Sequence, residues 1–399
     1  MDIIFLGGYF PSNRIQEILT DSKGVIQNAA NNLQCSIIKG LSYHFKDLRL
    51  VTLPYLGSYP FRYKKWYFNS SFTKNKLTTE NCVGFINISG LKYFHRYVMT
   101  IKTLKQFVKK SDSTYIIVYA IHTPFLKAAV DIKKKRSGVK ICLVIPDLPQ
   151  FMSTSKSIIY RLCKYFDSKI ICICLKRVDS FVLLTDYMAE ALLLKNKPWV
   201  RVEGIFDQPA SNEFVKKEEL KTILYTGTLA RIYGIMILLD AFSAIPDSEY
   251  RLWICGEGDC RNEIEKKSLS DPRIKYWGQL PYSEVLTMQK KATVLVNPRT
   301  SEGEYTRYSF PSKTMEYMAS GTPCIIYKLP GIPKEYLKYC FVVDHENKDE
   351  LKKTIMFVCE KKQYELDDFG NNARQFILEE KNPICQINKI KELLNETYR

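Results

Sequence analysis

The sequence of 399 residues contains no run of about 18 uncharged apolar residues, the length a spanning helix needs, so any membrane contact is expected to be peripheral. The nearest approach, Ile116 to Val130, is broken by His122, Pro124 and Lys127. A leader pattern is missing too: Met1 to Gly8 carries Asp2 and a very short apolar run, which reads as a first strand rather than a signal peptide. The 12 cysteines lack paired spacing, which speaks against a disulfide framework and suits a reducing cytosol. Cys142, Cys172, Cys174, Cys255 and Cys324 fall inside apolar runs, where a reduced thiol packs as a small hydrophobe; Cys172 and Cys174 are expected in the core rather than on a metal. Internal repeats and low-complexity tracts are absent.

Acidic residues are scarce in one half only. Residues 1–200 hold 30 Lys/Arg against 12 Asp/Glu, a net of +18, whereas the remainder holds 29 against 30. A basic half joined to a neutral one implies that a single domain faces an anionic partner, whether nucleic acid, anionic lipid or a phosphorylated substrate. With 46% hydrophobic and 25% charged residues the composition is that of a globular protein, and the length fits two domains.

Short apolar runs alternate with longer helical patterns. Ile3–Leu6, Leu50–Leu53, Tyr115–Tyr119, Lys140–Ile145 and Ser180–Leu184 read as strands of one parallel α/β sheet covered on both faces. The rhythm restarts at Thr222–Thr226, Tyr250–Cys255, Ile274–Trp277, Thr293–Val296, Pro323–Ile326 and Phe341–Val343, a second such sheet. Residues 202–212, rich in turn formers, read as a linker, so the domains are placed at 1–205 and 206–381. From 382 to 399, Ile387, Ile390 and Leu394 recur at helical spacing, with Ile384 before them.

Open α/β sheets bind ligands beyond the carboxyl ends of their strands. Gly7 and Gly8 follow the first strand, where missing side chains let backbone amides approach a ligand. Gly227 and Thr228 open a glycine-bearing loop after Tyr225–Thr226, and Arg231 adds a cation before the next helical pattern. Phe310-Pro311-Ser312-Lys313 then leads into a helix expected to start near Ser312 and to stop at Gly321, with Pro323 opening the next strand. First-turn amides and Lys313 would face the loop, and Glu316, one turn inside, has the chemistry to accept two hydrogen bonds from a ribose diol.

The stretch Phe310-Pro-Ser-Lys-Thr-Met-Glu-Tyr-Met-Ala-Ser-Gly-Thr-Pro323 closely resembles the donor-site motif of glycosyltransferase family 4. Tyr225-Thr-Gly-Thr-Leu229, Tyr233-Gly-Ile235 and Leu238-Leu-Asp-Ala-Phe242 resemble its phosphate loop, and Cys255-Gly-Glu-Gly258 and Trp277-Gly-Gln-Leu280 fall at its intermediate loops. The first half resembles the family less sharply, through Gly7-Gly8, His122 and Val182 to Glu190.

That resemblance implies a glycosyltransferase-B fold: two Rossmann-like domains, acceptor on the first and nucleotide-sugar donor on the second, with the last helix crossing back to the first. It implies Glu316 on the donor ribose, Arg231 and Lys313 on the diphosphate, Gly278 and Gln279 beside the base, and His122 near the transferred sugar. Where the family has a sugar-contacting Glu this chain has Tyr308, and Glu302 or Glu304 would have to supply that carboxylate. Where the family has Arg and Lys on the phosphate loop, this chain has Thr228 and Tyr233.

The implied activity is a hexosyltransferase-like, retaining transfer to a glycan or lipid-linked acceptor in surface polysaccharide (capsule, exopolysaccharide or O-antigen) biosynthesis. Because no Asp-x-Asp pair occurs, the transfer is expected to run without metal or other cofactor, with cations and helix dipoles meeting the leaving phosphate. Basic aromatic segments, Tyr59 to Phe68, Lys92 to Tyr97 and Ile158 to Phe166, are expected to lie on an anionic membrane, placing the protein at the cytoplasmic face of the cell membrane. Alternatives are a nucleotide-sugar epimerase on the same fold, an inactive sugar-binding subunit and a nucleic-acid-binding protein. The last would explain the basic half but not the donor-type loops, so nucleic acid is not the expected partner.

Overall fold

Runs of β-branched and aromatic residues become buried strands in the computed structural model, which describes residues 2–24, 26–108, 113–148, 158–194, 196–207 and 215–398. The chain divides into two units, residues 1–205 with 383–399, and residues 206–382. Part of the turn-rich stretch 202–212, residues 208–212, lies outside the described residues.

The first unit contains β1 (Asp2–Gly7), β2 (Leu48–Thr52), β3 (Tyr67–Phe68), β4 (Ser71–Lys74), β5 (Thr78–Cys82), β6 (Phe85–Ile86), β7 (Thr114–Tyr119), β8 (Val139–Ile145), β9 (Ser180–Leu183) and β10 (Trp199–Arg201). Eight of these make one sheet in the order β10-β9-β8-β7-β1-β2-β5-β4. The sheet is not wholly parallel, as the sequence suggested, because β4 returns antiparallel along β5 from Ser71↔Cys82 to Lys74↔Thr79. Its central strands are apolar and buried on both faces, which is why they read plainly as strands. β5, Thr-Thr-Glu-Asn-Cys, lies between β2 and the edge strand β4, buries only Cys82 fully and has no apolar run to betray it.

The helix Pro383–Tyr398 belongs to this unit: Ile387, Ile390 and Leu394 are buried in the core with Phe5 and Ile117, and the Tyr115 hydroxyl donates to the Leu394 carbonyl at 2.9 Å. Burying each of those aliphatic side chains is worth about 1.5–3 kcal/mol. Ile384, which precedes them, is exposed. Cys172 and Cys174 sit on the helix Ile158–Leu175, not on a strand; the helical period turns Cys174 inward and leaves Cys172 exposed.

The second unit is a six-stranded parallel sheet of β11 (Lys221–Thr226), β12 (Tyr250–Cys255), β13 (Ile274–Gly278), β14 (Val294–Asn297), β15 (Cys324–Tyr327) and β16 (Phe341–Val343), ordered β13-β12-β11-β14-β15-β16. The chain builds outward from β11 to β13, then crosses to β14 and builds the other way. Strand order therefore reverses between β11 and β14, and the loops leaving those strands diverge to open a crevice. In the first unit the same reversal falls between β1 and β7.

Candidate active site

The crevice at the β11/β14 reversal is a cavity of about 710 Å³, in the range that holds a small organic ligand. Tyr225–Thr228 line it from β11, Asn297 and Arg299 from β14, and Phe310–Lys313 from the entry to the helix Ser312–Ser320. That helix has Pro311 at its N-cap and hence no capping side chain; its positive dipole end opens on the cavity. Gly321, at φ 80°, ends it in the left-handed conformation.

A buried polar core fixes the β11 loop. The Thr226 amide donates to the Tyr317 hydroxyl at 2.8 Å, and that hydroxyl donates back to the Thr226 carbonyl at 3.0 Å. Burial holds the Tyr317 phenol well above its ordinary pKa, so it remains a donor at all working pH values. The Tyr225 hydroxyl donates to the Thr228 carbonyl at 2.8 Å, and the Asn297 side-chain amide to the Thr314 hydroxyl at 3.1 Å. Burial also pushes the Cys255 thiol up to about 12, which makes it a packing group rather than a nucleophile.

Of the residues singled out in the sequence, Gly227, Thr228, Gln279, Phe310, Pro311, Ser312 and Lys313 line this cavity together. Glu316 stands just behind it: one carboxylate oxygen accepts from Lys313 Nζ at 2.8 Å and from Gln289 Nε2 at 2.6 Å. Its charge, second to burial, raises the Tyr282 phenol, and Tyr282 is itself in the lining. Gly278 lies one residue from the lining Gln279, its carbonyl accepting the Gly256 amide at 2.8 Å.

Others are placed elsewhere. Arg231 is not in the lining; it sits in the 3-10 turn Arg231–Tyr233, and its guanidinium pairs with Glu263 at 2.9 Å on the exposed surface. Tyr308 lies outside the lining as well, with its hydroxyl 3.2 Å from Glu304. Glu302 and Glu304 are exposed, and the carboxylate in the lining among the described residues is Glu257. Sequence reasoning missed Arg299 and Asn297; their signal was their place at and just beyond the end of a strand.

Gly7, Gly8 and His122 belong to the first unit, at its own strand-order reversal. The Gly8 amide already donates to Gln34 Oε1 at 2.8 Å, so it is not offered to a ligand. A Cβ on Gly7 would fall 2.3 Å from that same oxygen and one on Gly8 2.5 Å from the Tyr55 ring; the two glycines serve close packing. His122 occupies the N-cap position of the helix Thr123–Lys135 without a side-chain capping bond and lies among Phe125, Tyr55 and Tyr93, with ring centroids at 4.3, 5.4 and 5.9 Å. Burial, then the charges of Arg96 and Lys92, hold its pKa well below the ordinary value, so its imidazole is neutral.

Arg96 and Lys92, expected on a surface, are buried instead. They donate to the carbonyls of Pro54 and Leu56, and the Arg96 guanidinium lies 4.2 Å over the Phe85 ring. Burial and Arg96 bring the Lys92 ammonium down to about 7. Between pH 7 and the ordinary value near 10.5 the unfolded chain thus holds a proton that the folded one does not, and stability rises with pH by up to about 1.4 kcal/mol per unit. Buried thiols such as Cys82 and Cys142, raised to about 12, oppose this above pH 9. Urea titrations at pH 7, 8 and 9 should therefore show a steeper rise for the wild type than for Lys92→Met; equal slopes would mean that Lys92 stays charged.

Residues 207–376 match the model of the family "Glycosyl transferases group 1". By sequence the chain is similar to an uncharacterized glycosyltransferase of Methanocaldococcus jannaschii, 25% identical over 206 residues, which is 50% of this chain and 54% of that protein. The chain spans about half or less of the length of the relatives it matches in this way. Among solved structures it is similar to sucrose-phosphate synthase from Thermosynechococcus elongatus, with a TM-score of 0.62 at 14% identity over 100% of this chain and 99% of that one. It is similar also to Anabaena HepE in complex with UDP, with a TM-score of 0.63 at 13% identity over 99% and 100%. The chain thus has the glycosyltransferase-B fold, and within it residues 207–376 are similar to the group 1 glycosyltransferase family.

Proposed function

We propose that the protein is a retaining glycosyltransferase that binds a nucleotide-sugar in the second unit and passes the sugar to a glycan or lipid-linked acceptor held by the first, in surface polysaccharide biosynthesis. The observation that carries the reading is the β11/β14 cavity: a glycine-bearing loop, an uncapped helix N-terminus and cations converge there, with Glu316 one turn behind. The group 1 family match over this unit and the UDP bound by the similar HepE support a nucleoside diphosphate as the leaving group.

In the proposed reaction the acceptor hydroxyl oxygen bonds to the anomeric carbon as the bond from that carbon to the diphosphate oxygen breaks. Attack comes from the face the nucleotide leaves, and the acceptor proton passes to the departing phosphate. The helix dipole and fixed cations meet the charge that develops there, without a metal in this proposal. A neutral His122 orients sugar hydroxyls by hydrogen bonding rather than by charge. The test is a panel of nucleotide-sugars and free nucleoside diphosphates read by thermal stabilisation; a ligand at 100 times its dissociation constant adds about 2.7 kcal/mol. No stabilisation by any member would overturn the reading.

For the acceptor side we propose an anionic membrane at the cytoplasmic face. Phe61, Trp66, Tyr93 and Phe94 are large, exposed apolar side chains on the basic first unit. Tyr63, Lys92 and Arg96 of the same segments are buried, and the side chains of residues 158–163 lie outside the described part. No helix among the described residues is long and apolar enough to cross a membrane. Sedimentation with phosphatidylglycerol vesicles should retain the wild type at low salt, and Phe61→Ser with Trp66→Ser should lower binding about tenfold or more. Equal binding of the variant, or preference for DNA over vesicles, would sink the membrane assignment.

A further inference from the structure

We infer that Arg299, to which the family resemblance gives no role, is the fixed cation that grips the donor's diphosphate, in place of the two cations missing at Thr228 and Tyr233. The inference rests on the donor-site reading above and concerns which group supplies the charge.

The argument begins with supply. A diphosphate brought into a cavity must meet cations already in place, because a mobile lysine or a solvated arginine pays ordering entropy at the moment of binding. Arg231 is committed to Glu263 at the exposed surface, and Lys313 is paired with Glu316 at 2.8 Å. Arg299 lines the cavity and makes no ion pair among the described residues. It stands two residues beyond the end of β14, beside the reversal point to which the β11 loop also leads.

The guanidinium is held in advance. It lies between two phenol rings, 5.3 Å from the centroid of Tyr233 and 5.0 Å from that of Tyr305, and one Nη donates to the Ser309 hydroxyl at 2.9 Å. Ser309 in turn donates to the Tyr305 carbonyl at 3.0 Å, so ring and hydroxyl are tied to one turn. Arg299 Nε is buried and has no hydrogen-bond partner among the described residues. A desolvated donor on a charged fork costs free energy until an anion arrives, and a phosphate matches that fork with two parallel bonds. Tyr233 holds the position where the resemblance expects a lysine, and the arginine lies over its ring. The charge lost from the β11 loop is thus returned from β14.

The test is calorimetry with a nucleoside, its monophosphate and its diphosphate, using uridine, guanosine and adenosine series on the full chain. Arg299→Met should lower diphosphate affinity about 30-fold or more, the value of a charge-assisted bidentate contact, while nucleoside affinity moves less than about threefold. Arg299→Lys, which keeps the charge but not the fork, should fall between and remains informative if the methionine variant folds poorly. Arg231→Met should bind as the wild type does. Unchanged diphosphate affinity in Arg299→Met, with loss in Glu316→Ala or Arg231→Met, would overturn the inference and leave the donor site standing. Failure of every diphosphate to bind the wild type would overturn both.

Discussion

Replacing Glu316 with alanine should abolish the stabilisation that a nucleoside diphosphate or its sugar gives the wild type, with little change in the melting temperature of the unliganded protein. A carboxylate accepting two ribose hydroxyls gains about 1.5–3 kcal/mol from each, so affinity should fall by two orders of magnitude or more. The bonds that Glu316 makes within the unliganded protein are weak or replaceable. Lys313 is about a third exposed and paired over a single helical turn, an arrangement worth about 0–1 kcal/mol. Gln289 Nε2 keeps the Thr226 hydroxyl at 3.3 Å when Glu316 is gone. Glu316→Gln keeps the shape and one acceptor, and should recover part of the binding without its charge-assisted share. Calorimetry of the three proteins against the best ligand of the panel decides the matter, and unchanged nucleotide affinity in Glu316→Ala would remove the carboxylate from the site.

The second sheet was legible almost strand for strand, because its central strands β11, β14 and β15 are short apolar runs buried on both faces and the outer ones still carry short runs of strand-forming residues between turns. β12 and β16 have the bounds read from sequence, and the helix Ser312–Ser320 begins and stops where Pro311 and Gly321 say it should. The first sheet was read only in its centre. β4, β5 and the short pair β3 and β6 are polar or two residues long, and their partners are fixed by tertiary pairing that local pattern does not encode.

The site divides on the same principle. Residues consecutive with a glycine loop or a helix start could be named from sequence, since backbone geometry puts them there. Lys313, at the helix start, could be named in this way, but which arginine faces the cavity could not. Arg231 is adjacent to the phosphate loop in sequence but turns toward Glu263, 32 residues away, whereas Arg299 reaches the same loop from another strand. Likewise Arg96 reads as part of a basic aromatic surface facing a membrane, yet the helical period carries it over the Phe85 ring and onto the Pro54 carbonyl.

Gly256→Ala should be the most damaging single-methyl addition near the cavity, through the close approach of two loops rather than through backbone conformation alone. Gly256 has φ 139°, and a Cβ there would fall 1.8 Å from the Gly227 carbonyl oxygen, a backbone atom that cannot step aside without moving the β11 loop. The Gly256 amide also donates to Gly278 and the Gly227 amide to Cys255, so the three loops shift together or not at all. Strain at positive φ of about 1–3 kcal/mol adds to an overpacking cost of similar size. The second unit should therefore lose about 2–5 kcal/mol in urea titration, and diphosphate binding should weaken about tenfold or more through the displaced Gly227 and Thr228. Gly278→Ala separates the causes: φ is 66° there, but nothing lies within 4 Å of the added carbon, so only the conformational share of about 1–2 kcal/mol should appear. Equal losses in the two variants would show that the close approach to Gly227 is not what requires glycine at 256, and that the cavity's floor tolerates more movement than its hydrogen bonds imply.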